Sequence, residues 1–211
     1  MFTNPMETKN GELKMKNSII DKIDKVIKDN ESNAIETLNK IKALIANERK
    51  PDFTKIKDGE RFTYKGIDFI RLGKEQGGIL CVTAKIWETL SFDKRGYNDF
   101  RIASIREALN YKFRSLLDDD DLLAYEMDLT ADNGDKAYGK SNVYAGLLSA
   151  DLYRKYRDYI PKYDKWVWLC TPWYCSDDEG DVRIVDTDGT LAGYGADSAN
   201  GVVPAVIFID N

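Results

Sequence analysis

This sequence predicts an α+β fold with an N-terminal helical segment, and three observations carry that prediction. Apolar residues between Leu13 and Ile45 are spaced for one face of a helix. From Phe62 onward the apolar residues come instead in short β-branched and aromatic runs punctuated by glycine. Two helical stretches interrupt those runs without alternating with them, and no strand opens into a glycine-rich phosphate loop. A doubly wound nucleotide fold is therefore disfavoured.

The helical segment comes first. Leu13, Ile20, Ile23 and Ile27 are separated by seven, three and four, the spacing of a seam that repeats every 3.5 residues. Asn30 continues the seam, and Ala34, Leu38, Ile41 and Ile45 resume it after one four-residue step too many. Such a step is a stutter in one long helix or a turn between two. Asn33 followed by Glu36 resembles an N-cap and its box partner, which would suit a helical hairpin. A stripe this narrow must pack on something. A short coiled coil with a second copy is preferred over packing back onto the same chain. Pro51 ends the segment, because the residue before a proline is biased out of the helical region. The expected division is an oligomerisation segment over 1–51 and a second domain over 52–211.

That second domain should contain strands at Phe62–Tyr64, Ile67–Leu72, Ile79–Thr83, Trp166–Leu169, Val182–Val185 and Val202–Ile209. Gly77-Gly78 punctuates these runs, as does Asp188-Gly189, a hairpin-turn dipeptide. One helix is expected from about Ile102 to Leu117, with Ile102, Ile105, Leu109, Phe113 and Leu116 on its inner face. The other should start at Ser149 as N-cap, carry Leu152, Tyr153, Tyr156 and Ile160, and stop at Pro161.

Composition narrows the function. The 211 residues carry a net charge of −5, which disfavours direct nucleic-acid binding. Residues 1–52 hold 10 basic and 9 acidic side chains, so the acidity belongs to the second domain. Histidine is absent, excluding Ser-His-Asp and Cys-His catalysis and histidine metal ligands together. The three cysteines, Cys81, Cys170 and Cys175, form no Cys-x-x-Cys pair and are read as reduced thiols. The first residues lack the apolar core of a secretory signal, and no apolar run approaches a membrane span. The expectation is a cytoplasmic protein without membrane contact, with virion association left open.

Six motifs in order carry a resemblance. They are Tyr64-Lys65-Gly66 through Ile70-Arg71-Leu72; Ser104-Ile105-Arg106 with Leu109-Asn110; and Leu147-Leu148-Ser149 with Tyr153. Then follow Trp166-Val167-Trp168-Leu169-Cys170-Thr171-Pro172, Val185 through Asp188-Gly189, and Gly201-Val202-Val203-Pro204-Ala205-Val206. Over about three quarters of its length the chain resembles an uncharacterised bacterial and phage domain family with a C-type-lectin-like fold, related to formylglycine-generating enzymes. Where that family usually has arginine, this chain has Cys170 and Val203. The resemblance implies a lectin-like domain, a scaffold that hosts sugar binders, enzymes and variable binding proteins alike.

Candidate site residues cluster between Cys170 and Tyr194. Trp166 and Trp168 lie two apart within the strand motif and are assigned mainly to packing. Trp173 and Tyr174, beyond Pro172, are assigned to recognition together with Arg183, Tyr194, Asp177 and Asp178. The acidic residues Asp177, Asp178, Glu179, Asp181, Asp186, Asp188 and Asp197 face only Arg183 in sequence; their spacing fits no EF-hand, so no metal or cofactor is expected. Cys170 and Cys175 have a spacing like the copper-binding pair of formylglycine-generating enzymes, and coincidence is the preferred reading. The expected function is a non-enzymatic phage or prophage binding protein with a host protein or other ligand, its helices joining copies. The alternatives are an intracellular inhibitor of a bacterial defence system, comparable to anti-CRISPR proteins, and a cysteine–copper oxidase.

Overall fold

The structure, a computed structural model, describes residues 20–29, 34–47, 49–175 and 180–210. The chain divides into two compact units, Met1–Lys50 with Tyr64–Gly66, and Pro51–Thr63 with Ile67–Asn211. It is a mixed α+β protein. None of its described helices is long and apolar enough to cross a membrane.

In the first unit, residues 20–29 form helix α1 and Ala34–Asn47 form α2. Glu36 lies in the first turn of α2 and pairs with Lys40 one turn on, at 2.7 Å. Among the side chains described in α1 and α2, none is buried. Ile20, Ile27, Leu38 and Ile45 of the seam are exposed. The expected helix positions Leu13, Asn30 and Asn33 lie outside the described residues, and with them the choice between one helix and a hairpin.

The second unit is built on two larger sheets and one hairpin. The first sheet has the order β1(Arg61–Tyr64), β2(Ile67–Glu75), β3(Gly78–Thr83), β13(Ala205–Ile209), β5(Leu122–Leu123), with β8(Ala145–Gly146) also on β13. The second has the order β11(Leu191–Gly195), β10(Asp181–Val185), β9(Val167–Pro172), β12(Ala199–Val202), β4(Glu88–Ser91). The hairpin joins β6(Tyr125–Asp128) to β7(Lys140–Val143).

Strands β2 and β3 join through Gln76-Gly77, both with positive φ, between paired Glu75 and Gly78. That is the geometry a two-residue hairpin of right-handed strands demands, and glycine meets it without strain. Phe208 of β13 packs on Phe53 and Phe69 at 5.4 and 5.5 Å between ring centres, and Phe62 stacks on Phe69. In the second sheet every residue of β9 is buried, as befits a central strand.

Three expectations need correcting. Val202–Ile209 is not one strand: Pro204 cannot donate to a ladder, and the run breaks into β12 in one sheet and β13 in the other. The helix expected over Ile102–Leu117 is a short α-helix, α3 (Ser104–Glu107), continuing as a π-helical stretch Ala108–Phe113 and a 3₁₀ turn Arg114–Leu116. The inner face is Ile105, Leu109, Phe113 and Leu117; the wider π turn moves Leu116 off it, and Ile102 is exposed because it precedes the helix. Helix α4 (Ala150–Tyr156) does begin at Ser149, whose hydroxyl accepts from the Leu152 amide at 3.1 Å, but it ends before Ile160.

Candidate functional site

Long connections separate short strands in the second unit. Those over residues 92–103, 129–139 and 173–175 are tied together by buried polar side chains in addition to apolar packing around Phe92, Phe100 and Leu129. Asn98, 1% exposed, is the hub. Its amide group donates to the Tyr174 carbonyl at 2.9 Å and to the Asp181 carbonyl at 3.2 Å. Its carbonyl oxygen accepts the Tyr138 hydroxyl at 2.8 Å. One side chain therefore links all three connections. The Ala131 amide donates to the Asp135 carbonyl and the Asp132 amide to the Pro172 carbonyl, closing the middle one onto the end of β9.

Asp93 organises the first connection. Its carboxylate accepts the amides of Arg95, Tyr97 and Ser104, and the Arg95 guanidinium. Burial pushes this carboxyl up, but Arg95 and the three amides outweigh burial and hold it below the usual carboxylate range. Arg101 forks onto Asp99 and lies over the Tyr138 ring at 5.2 Å. Tyr97 is left exposed at the tip, beneath the Arg95 guanidinium.

Of the expected site residues, Trp173, Tyr174 and Arg183 come together. The Trp173 amide donates to the Asp181 carbonyl, so pairing persists one residue past the end of β9. Its ring covers Gly193, where any side chain would collide with it, and carries the Arg183 guanidinium 4.0 Å above. Glycine at 193 thus makes the seat for the indole. Trp173 is consequently half-buried, not a free anchor. Tyr174, 39% exposed, adjoins it at 6.2 Å between ring centres.

Arg183 finds a partner outside the acidic stretch of the sequence. It pairs with Asp132, which also lies 3.6 Å from Arg154, and the Arg183 hydrogen bond holds the Asp132 carboxyl below its ordinary range. Asp186 accepts the Trp166 indole N–H at 2.7 Å, and Asp188 caps its own turn through Thr190. Asp177, Asp178 and Glu179 lie outside the described residues.

Tyr194 stands apart from Trp173 and Arg183. In the β10–β11 ladder Arg183 lies opposite Gly193 and Val182 opposite Tyr194, so alternation sends Tyr194 to the other face. There it packs edge-on against Trp166 at 4.9 Å. Trp168, 1% exposed, is core: it meets Phe92 at 5.7 Å, and its indole N–H donates to the Leu90 carbonyl. Cys170 is buried and Cys175 half-buried. Burial pushes the Cys170 thiol up to about 12.

Sequence reasoning missed Asn98, Asp93, Tyr138 and Asp132. The local signals were there, in the turn-forming run Asp93-Lys94-Arg95-Gly96 and in Asp132-Asn133-Gly134-Asp135. Neither run says which distant element its side chains will reach. No protein-family model, curated protein or solved structure matches the chain.

Proposed function

We propose that the chain is a non-enzymatic binding protein of phage or prophage type, whose C-type-lectin-like domain recognises a protein ligand through this loop cluster. One observation carries the reading. The loops are held from beneath by buried polar hubs, Asn98 and Asp93, while exposed aromatic rings stand on top at Tyr97 and Tyr174. Rigid loops with exposed tyrosines are what a recognition surface requires, since ordering costs are met before binding. The lectin-like part of the reading is supported by the strand positions. The Trp-Val-Trp-Leu motif lies across the start of the central strand β9, and Gly201 through Val206 spans the crossing between sheets.

The cysteine–copper alternative is weakened by Cys170. A thiol raised to about 12 and sealed in the core is a poor source of the thiolate such a site needs. The helical seam, with its exposed isoleucines and leucine, supports assembly of several copies and hence avidity.

The test pairs Tyr97→Ala with Tyr174→Ala. Host protein cross-linked to the full-length chain should map to peptides containing residues 93–101 or 173–175. The double variant should lose that partner by about 2 kcal/mol or more of affinity while melting like the parent. Unchanged affinity in the double variant would remove the loop cluster from the function.

A further inference from the structure

A groove along helix α3 adjoins the loop cluster, sharing part of its 92–103 connection but none of Tyr97, Trp173, Tyr174 or Arg183. Two adjoining hollows of about 370 and 740 Å³ have Lys94, Ser104, Glu107 and Tyr111 in common. Ile105 and Leu90 line the smaller one; Arg95, Arg101 and Arg106 line the larger. The chain as a whole is acidic, at −5. The larger hollow reverses that sign, with four cations against Asp93 and Glu107.

The cations are not equally committed. Arg95 is spent on Asp93 and Arg101 on Asp99. Asp93 is itself buried and occupied by backbone amides, so it offers the groove little free charge. Lys94 and Arg106 have no ion-pair partner among the described residues. The Arg106 Nε is shut off from solvent without a hydrogen bond, so only the outer guanidinium nitrogens are left to take a partner from the hollow that Arg106 lines. An incoming carboxylate would give that guanidinium the charge partner it lacks.

The apolar side of the groove says what kind of molecule brings the carboxylate. Tyr111 is 74% exposed and Ile102 55%, both beside the cations. Large apolar side chains interleaved with unpaired cations suit a peptide that presents acidic residues around an aromatic or aliphatic one. A nucleic-acid strand is disfavoured because phosphates running on beyond the groove would meet a chain of net charge −5. We infer that the α3 groove binds an acidic, aromatic-containing peptide segment of a partner protein through Lys94 and Arg106. This holds whether or not Tyr97 and Tyr174, the tyrosines of the proposed recognition surface, bind a ligand.

The experiment is an amide-shift titration of the full chain with the peptide Glu-Glu-Tyr-Glu-Glu, run beside Gln-Gln-Tyr-Gln-Gln and an oligothymidylate of eight nucleotides. The acidic peptide should shift the amides of Lys94, Arg106 and Tyr111, weaken with added salt, and bind about tenfold less well to Arg106→Gln and to Lys94→Glu. Lys94 is exposed, so Lys94→Glu carries the test should Arg106→Gln fail to fold. Shifts confined to other surfaces, equal binding of the glutamine peptide, or an unaffected Lys94→Glu variant would overturn the proposal. Tighter binding of the oligonucleotide in the groove would overturn it in favour of nucleic acid.

Discussion

The β-rich unit and the N-terminal helices solve the burial problem in opposite ways. In the first, β9 is buried along its whole length and Trp168, Phe92, Phe69 and Phe208 are sealed from water. In the second, none of the side chains described in α1 and α2 is buried, and Ile35, Ile20 and Leu38 are at least half exposed. A 14-residue helix in isolation is marginal, because nucleation costs more than a few turns return. The difference is that the sheets bury their own apolar side chains, whereas those described in α1 and α2 stay half-buried or exposed.

The sharpest way to break the comparison is Trp168→Ala. The indole fills the space beside Phe92 and spends its N–H on the Leu90 carbonyl. Truncation should cost about 3–5 kcal/mol, read from denaturant midpoints, as large aromatic deletions in cores do. A loss below 1 kcal/mol would mean that β9 is not the centre of the core.

The helices answer to a different measurement. If the seam is completed by a second copy, Ile27→Glu with Leu38→Glu should weaken self-association by about a hundredfold. Sedimentation should then show monomer, and the melting of the β unit should not move. A parent chain that already sediments as a monomer at micromolar concentration ends the idea.

Between these extremes lie the loops, where stability comes from polar hubs. Asn98→Ala removes the acceptor of the Tyr138 hydroxyl and the side-chain donor to the carbonyls of Tyr174 and Asp181, the last of which keeps the Trp173 amide. The expected cost is about 1–3 kcal/mol. Amide exchange should quicken around 93–101 and 173–175 and stay slow in β3 and β13.

These three regions were unequally legible in the sequence. Hairpin β2–β3 could be read because its alternation and its Gln76-Gly77-Gly78 turn are local. Strands β4 to β8 could not, since two to four residues carry too little pattern and are strands only because a neighbour pairs with them. Of the helix expected over Ile102–Leu117, Ile105, Leu109 and Phe113 were read correctly and Leu116 was not, because a π turn changes the spacing that a 3.6-residue period assumes. At the candidate site the residue types were visible but their pairings were not. Arg183 reaches Asp132 across 51 positions, and Asn98 looked like any loop asparagine until 76 positions of chain folded back onto it.

The smallest expected effect tests whether the Arg183 pairing belongs to the stable sheets or to the loops. Arg183 holds the Asp132 carboxyl below its usual range, so the folded pKa lies under the unfolded value. Stabilisation of that sign is fully present above the unfolded pKa, near 4, and is lost as pH falls through the lower folded value. The parent protein should therefore lose stability on acidification below about pH 4, with Asp93, whose carboxyl is shifted in the same direction, contributing to the same loss. Asp132→Asn removes one titrating group and should flatten that slope. At pH 7 it should also lower the melting temperature slightly, because Arg183 keeps its seat on Trp173 but loses its counter-charge. Trp173→Ala should do the reverse, leaving the acid slope and removing about 0.5–2 kcal/mol at every pH, the range for a cation on an aromatic face. Identical acid slopes in Asp132→Asn and the parent would show that the pair exchanges freely with solvent and that the Trp173 stack alone fixes Arg183.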